Sequence, residues 1–132
     1  MDFANEDFAN SHCKRIRELD PLIRFVAIAN RMGTLLATSY REQLNPLMDD
    51  DETKLYAMQA VFRAELREDF QKNLGILNYS VGKYDKLIRA TIPITGVNES
   101  KYYLLISFDI EANSIFIIEK KVLEYIKLIT QE

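Results

Sequence analysis

The chain has 132 residues, of which 48% are hydrophobic and 28% are charged, and this is the size and balance of one compact domain. Its formal net charge of -3 at pH 7 provides no basic field for general binding to nucleic acid phosphates. One cysteine, Cys13, excludes an internal disulfide and favours a reducing compartment. No apolar run approaches the roughly 20 residues of a membrane helix. We therefore expect a cytoplasmic protein without nucleic acid or membrane partners.

We expect one domain over residues 1–132, with residues 1–6 disordered. The first half of the chain is predicted to form a helix followed by a β-hairpin. Apolar residues recur at helical spacing from 6 to 19. Residues 22–29 (LIRFVAIA) and 34–39 (TLLATS) are rich in apolar and β-branched side chains, which predicts two antiparallel strands. The segment NRMG between them has the composition of a hairpin connection.

A long second helix is predicted next. Asp49 and Glu52 have the spacing of a capping box, so the helix should begin near residue 50. It should continue to about Leu74, because Gly75 suits the left-handed conformation that ends many helices.

Three more strands and a closing helix complete the pattern. Residues 76–83, 86–94 and 101–108 are predicted as strands with short connections, which favours a meander. Asn113 or Ser114 can cap the last helix. Apolar residues recur in this helix at intervals of three and four residues, which predicts that they face the core: Ile115, Ile118, Val122, Tyr125, Ile126 and Ile129.

The strand patterns also predict the order of the sheet. The first and fifth strands have lost most of the alternation between apolar and polar residues, so both of their faces should be buried at the centre. We pair strands one and two as a hairpin and strands three to five as a meander, and we place strand one beside strand five. This arrangement is a five-stranded antiparallel sheet of order 2-1-5-4-3. The expected fold is α+β, α-β-β-α-β-β-β-α, with helix two on one face and the terminal helices on the other.

This order of elements resembles the roadblock and dynein light chain domains of the profilin-like group, and PAS and GAF sensor domains have similar sheets. The segment 19–42 also resembles short archaeal proteins with D-P-x-I-R-F followed by N-x-x-G, a family that supplies no catalytic residues. The resemblance to roadblock proteins implies a homodimer in which the second helices pack together and sheet edges can join. It also implies a protein partner, with a small GTPase as one candidate. The connection from 40 to 51 is longer than the resemblance leads us to expect.

The second helix shows two apolar sides in projection. Larger residues, Leu55, Met58, Phe62 and Leu66, fall on one side, which we interpret as the sheet-packing stripe. The other side carries Ala57, Ala60 and Ala64, with Val61 at its margin. We interpret that small-residue side as a helix-to-helix dimer interface, although alanine is also simply the best helix former on an exposed face. An exposed second strand would add unpaired backbone groups for edge pairing, with Thr34, Leu36 and Thr38 on one of its faces.

Chemical signatures are sparse. His12 and Cys13 are adjacent and point about 100° apart on a helix, so a Cys/His catalytic pair is not expected. The acids at 49–52 lack calcium-loop spacing, and no glycine pattern predicts a nucleotide-phosphate cradle. Arg24 and Arg89 are charged residues within apolar strands. They either pair with acids, sit at strand ends or, with Tyr103, contact a ligand.

The sequence thus predicts no catalytic residues, no metal site and no cofactor. The leading hypothesis is a non-catalytic, homodimeric protein-interaction or regulatory module. The alternative is a PAS/GAF-like sensor that binds a small molecule between the sheet and a helix, using Arg24, Arg89 or Tyr103 as polar contacts.

Overall fold

The computed structural model describes residues 2–95 and 99–130. Part of the predicted loop between the fourth and fifth strands therefore lies outside the described residues. The elements in chain order are α1 (Glu6–Arg17), β1 (Ile23–Asn30), β2 (Leu35–Tyr40), α2 (Asp50–Glu68), α3 (Gln71–Leu74), β3 (Ser80–Lys83), β4 (Leu87–Thr95), β5 (Lys101–Asp109), α4 (Ser114–Ile117), a π-helical turn (Ile118–Val122) and α5 (Leu123–Thr130).

The sheet confirms the predicted topology. Its five strands lie in the order β2-β1-β5-β4-β3, and every neighbouring pair is antiparallel. The strands predicted as central, β1 and β5, both lie inside the sheet and have the most continuous burial, as expected for strands covered on both faces. The strand β4 is also interior.

Two helical layers cover the sheet, as predicted. One buried cluster joins the sheet to α1 and to the C-terminal helices, with Ile16, Ile28 and Ile118 among its members. The other joins the sheet to α2, with Ala60 and Tyr103 among its members. The first layer contains most of the large aliphatic side chains, whereas the α2 layer is built mainly from small ones.

The second helix is capped as predicted but ends early. The Asp49 carboxylate accepts a hydrogen bond from the Glu52 backbone N–H at 2.8 Å, and the Glu52 carboxylate accepts one from the Asp49 N–H at 3.1 Å. The prediction of one continuous helix to residue 74 is wrong. The N–H groups of Asp69 and Phe70 bond to carbonyls three residues earlier, which closes α2 with a tight turn before the short α3.

Two other expectations are corrected by packing. Phe3 is buried and its ring contacts Phe8 and Tyr102, which contradicts the expected disorder in this part of the N-terminal segment. In the closing helix, Ile115 is exposed rather than facing the core. The π-helical turn adds a residue to one helical turn, and the buried positions there are Ser114, Ile117, Ile118 and Val122.

The turn between β1 and β2 fixes the position of α2. The Asn30 side chain accepts hydrogen bonds from the N–H groups of Met32 and Thr34, at 2.9 and 3.0 Å. Gly33 has a φ of +79°, a conformation that glycine adopts without a steric cost. A Cβ on Gly33 would lie 2.6 Å from the Cα of Met58, so the turn lies directly against the α2 backbone.

We expect Gly33→Ala to lower the free energy of unfolding by about 2 kcal/mol. Alanine is strained at a positive φ, and its methyl group would also clash with the α2 backbone. Urea unfolding followed by circular dichroism measures the change. The matched control is Gly82→Ala in β3, where a new methyl group would have no atom within 4 Å and φ is not positive. Equal losses in the two variants would contradict the proposed role of the turn.

Candidate functional site

The two sides of α2 are the reverse of the sequence interpretation. Ala57, Ala60, Val61 and Ala64 are between 1% and 2% exposed and pack against the sheet. The assignment of these four residues to a dimer interface is therefore wrong, because side chains buried within one chain cannot contact a second one. The larger residues, predicted as core, are the exposed ones.

Small residues on both elements explain this orientation. Ala27 and Ala29 of β1 belong to the same buried cluster as the α2 alanines, so the layer between α2 and the sheet is built mainly from small side chains. Tyr103 of β5 is fully buried in this layer and supplies much of its volume. The sequence signal for this layer is the pair of alanines inside β1, which lie in the same buried cluster as the small side of the helix.

The outward side of α2 carries a continuous apolar surface, which we call the α2 stripe: Leu55, Met58, Phe62 and Leu66. These side chains are between 49% and 63% exposed. They recur every three or four residues and so form one line of about 16 Å along the helix. Phe70 is also largely exposed and extends the apolar surface beyond the end of α2.

The predicted edge strand is at the edge, but its three proposed contact residues do not share a face. The β1–β2 pairing passes from Ile28–Ala37 to Ala29–Leu35, which leaves Leu36 as the extra residue of a β-bulge. Leu36 packs with the α1 layer. Thr38, which is exposed, lies opposite Ala27 of the α2 layer. Thr34 precedes the strand and is also exposed.

Arg24 is paired within the chain. Its Nη1 lies 3.2 Å from Oδ1 of Asp109, and Arg41 donates to both oxygens of the same carboxylate at 2.7 and 3.0 Å. One carboxylate at the end of β5 therefore joins β1 to the segment that follows β2. The hydrogen bonds from Arg41, and then those from Arg24, hold the pKa of Asp109 below its usual value of 3.8, against the opposing effect of burial.

We expect Asp109→Asn to lower the free energy of unfolding at pH 7 by about 2 kcal/mol, because two arginines lose their charged acceptor. Since the folded-state pKa of Asp109 is lowered, its contribution is complete above 3.8 and is lost as the pH falls below that value. Urea unfolding across this pH range should show the wild type and the variant converging at acidic pH. Asp85→Asn, at an exposed turn, is the control; a constant difference for Asp109→Asn would contradict the ion pair.

Tyr103 is also satisfied inside the chain. Its hydroxyl lies 3.3 and 3.2 Å from the two carboxylate oxygens of Glu68, and Lys101 contacts the same carboxylate at 2.8 Å. Burial, and next the charge of Glu68, raise the pKa of the Tyr103 hydroxyl, so it remains a hydrogen-bond donor. This contact ties the end of α2 to the central strand.

Arg89 differs from the other two candidate ligand contacts. Its guanidinium carbon lies 3.9 Å from the centre of the Tyr56 ring, and its Nη2 lies 3.7 Å from the sulfur of Met48. Arg24 and Arg89 line one small cavity of about 30 Å³, whereas Tyr103 lies elsewhere. The three predicted ligand contacts therefore do not form one site.

Cys13 and His12 do not form a catalytic pair either. The Cys13 thiol is buried and donates to the Val26 carbonyl at 3.0 Å, and burial raises its pKa to about 12, so little reactive thiolate forms at neutral pH. His12 instead contacts the Tyr125 hydroxyl. Within residues 2–95 and 99–130, no group of three or more His, Cys, Asp or Glu side chains is placed to hold a metal ion. None of the helices described combines the length and apolar character that crossing a bilayer requires.

Comparison with known proteins places the fold. No protein-family model matches the sequence, and no curated protein matches it. Solved structures do. Myxococcus xanthus MglB is 15% identical with a TM-score of 0.72, covering 96% of this chain and 88% of that one. An MglB with a tetrameric arrangement is 16% identical with a TM-score of 0.70, covering 96% and 90%. A roadblock/LC7 domain from Streptomyces avermitilis is 12% identical with a TM-score of 0.67, covering 91% and 92%.

These similarities confirm the predicted roadblock-like α+β fold over nearly the whole chain. At such identities they show the fold alone. The resemblance to short archaeal proteins stays a prediction.

Proposed function

We propose that this protein is a non-catalytic regulatory module that forms a homodimer through α2 and presents a composite surface to a protein partner. The observation that carries the proposal is the α2 stripe, four large apolar side chains in a line on the outward side of a 19-residue helix. On a solvated helix this side would ordinarily be polar. A contiguous apolar surface of this kind marks an association site.

The shape of the stripe favours a second copy of the chain as its partner. A single line along one helix complements itself across a two-fold axis perpendicular to the helix, so each residue finds an apolar counterpart in the other copy. The two helices then run antiparallel, with Met58 and Phe62 closest to the axis. Phe62 is the central aromatic side chain of this contact, the type and position at which binding energy concentrates.

The similar structures support association without specifying its form. One MglB is described with a tetrameric arrangement, which is a property of that protein. The exposed backbone of β2 offers a further route to pairing, and Thr38 lies on its α2 side. We assign the primary contact to α2 because the apolar side chains are there.

The sensor alternative has weaker support. Arg24 and Tyr103 already have carboxylate partners within the chain, so neither is available to a ligand without breaking a buried contact. The cavity that Arg24 shares with Arg89 is about 30 Å³, which corresponds to roughly one water molecule. This cavity therefore has no space for a ligand in this conformation.

We expect Phe62→Glu to weaken self-association by roughly 30-fold or more while the fold is retained, because it places two charges in an apolar contact. Size exclusion coupled to light scattering, over a range of protein concentrations, measures the dimer dissociation constant. Circular dichroism and urea unfolding verify that the variant is folded.

Two substitutions of the same chemical kind serve as controls. Leu128→Glu adds the charge at an equally exposed apolar side chain on α5 and should leave the dimer intact. Ala60→Glu adds it to the buried side of α2 and should instead lower the free energy of unfolding by about 3 kcal/mol. A monomeric wild type at high concentration, or equal effects of Phe62→Glu and Leu128→Glu on association, would refute the proposed dimer.

A small GTPase is the first partner class to test, on the strength of the roadblock-like fold alone. If the partner surface is composite, a GTPase that binds the wild-type dimer should bind the folded Phe62→Glu variant at least tenfold more weakly. Titration calorimetry with purified small GTPases, loaded with GDP or with a GTP analogue, gives the affinities. Equal binding to dimer and monomer would place the partner surface within one chain.

A further inference from the structure

A cleft opens beside α2, between the segment that follows β2 and the turn that joins β3 to β4. Its volume is about 420 Å³, within the usual range of small-molecule sites. Leu47 and Met48 line one part of it, and Tyr84 and Leu87 line another. Leu47 and Tyr84 are each more than half exposed, so two large apolar side chains face solvent at this place.

Arg89 supplies the cleft with a positive charge that has no acidic partner within residues 2–95 and 99–130. Its contacts are the face of Tyr56 and the sulfur of Met48, and no ion pair joins it to a carboxylate among the residues that the structure describes. A guanidinium has five N–H donors, and a thioether is a weak acceptor. Most of the donor capacity of Arg89 is therefore unused by the described part of the chain.

The contrast with Arg24 shows that an arginine within an apolar strand can have a carboxylate partner in this fold, whereas Arg89 has a ring and a thioether instead. Both arginines lie within apolar strands and are partly buried, but Arg24 has the carboxylate of Asp109. Stacking on Tyr56 holds the planar guanidinium of Arg89 in a defined orientation. A planar carboxylate is the acceptor that such a group binds through two parallel hydrogen bonds.

The charges and the apolar lining of the cleft together indicate the chemical class of its ligand. Lys86 and Arg89 contribute two positive charges to the cleft and Asp85 one negative charge, and the remaining lining is apolar or aromatic. We propose that this cleft binds a small aromatic carboxylic acid as a free molecule, with its carboxylate on Arg89 and its ring against Leu47, Leu87 and Tyr84. The site is separate from the α2 stripe, so the proposal does not depend on the dimer.

The test uses indole-3-acetate as the probe and indole-3-acetamide as its uncharged control, each titrated into the full chain and followed by amide chemical shifts in NMR. We expect saturable shifts with the acid at millimolar concentration or below, centred on the backbone of Met48, Leu87 and Arg89. The amide should bind roughly tenfold more weakly, because it cannot form the charged pair.

Arg89→Gln should weaken binding of the acid by roughly tenfold and bring it to the level of the amide. The matched control is Arg63→Gln: Arg63 lies 5.6 Å from the same Tyr56 ring but does not line the cleft. If Arg89→Gln does not fold, Leu47→Asp provides the test at an exposed position, since it adds a negative charge to the apolar wall. The proposal is overturned if the wild type shows no saturable shifts, if acid and amide bind alike, if the shifts centre on the α2 stripe, or if the cleft variant binds as tightly as the wild type.

Discussion

The packing of the small-residue side of α2 on the sheet is the constraint on which the rest of the structure depends. Alanines on the helix share one buried cluster with alanines on β1, and Gly33 brings the hairpin turn against the helix backbone at Met58. Because the alanines are buried on one side of the helix and a Cβ on Gly33 would meet the helix backbone, the rotation of the helix about its axis is fixed. That rotation determines which side of α2 faces solvent, and therefore which residues are available to a partner.

The order of the strands was predictable from the sequence, whereas the orientation of α2 was not. Burial on both faces leaves a long apolar run in β1 and β5, and this pattern identifies the central strands. On α2, by contrast, both sides are apolar, and a periodicity argument assigns the bulkier side to the core. The correct choice depends on the surface that the helix covers, because Tyr103 and Leu105 of β5 join Ala27 and Ala29 in this layer and pack against the small side of the helix.

The candidate site was predictable only in part for a similar reason. The sequence identified Arg24 and Arg89 as unusual charges within strands, but an ion pair such as Arg24–Asp109 joins residues 85 positions apart, and the strand pattern contains no information about it. Leu36 was placed on the wrong face because the bulge in β2 changes the alternation of side chains. The cleft beside Arg89 needs the long connection after β2, whose packing follows from no local pattern.

Because small residues line only the buried side of α2, substitutions on the two sides of this helix have different consequences. Substitutions at the buried alanines alter the distance between helix and sheet and so affect the stability of the whole domain. Substitutions along the outward side leave that distance unchanged. A chain with this architecture can therefore acquire or lose partners through surface changes at little thermodynamic cost, and the same scaffold can diversify in recognition while its fold persists.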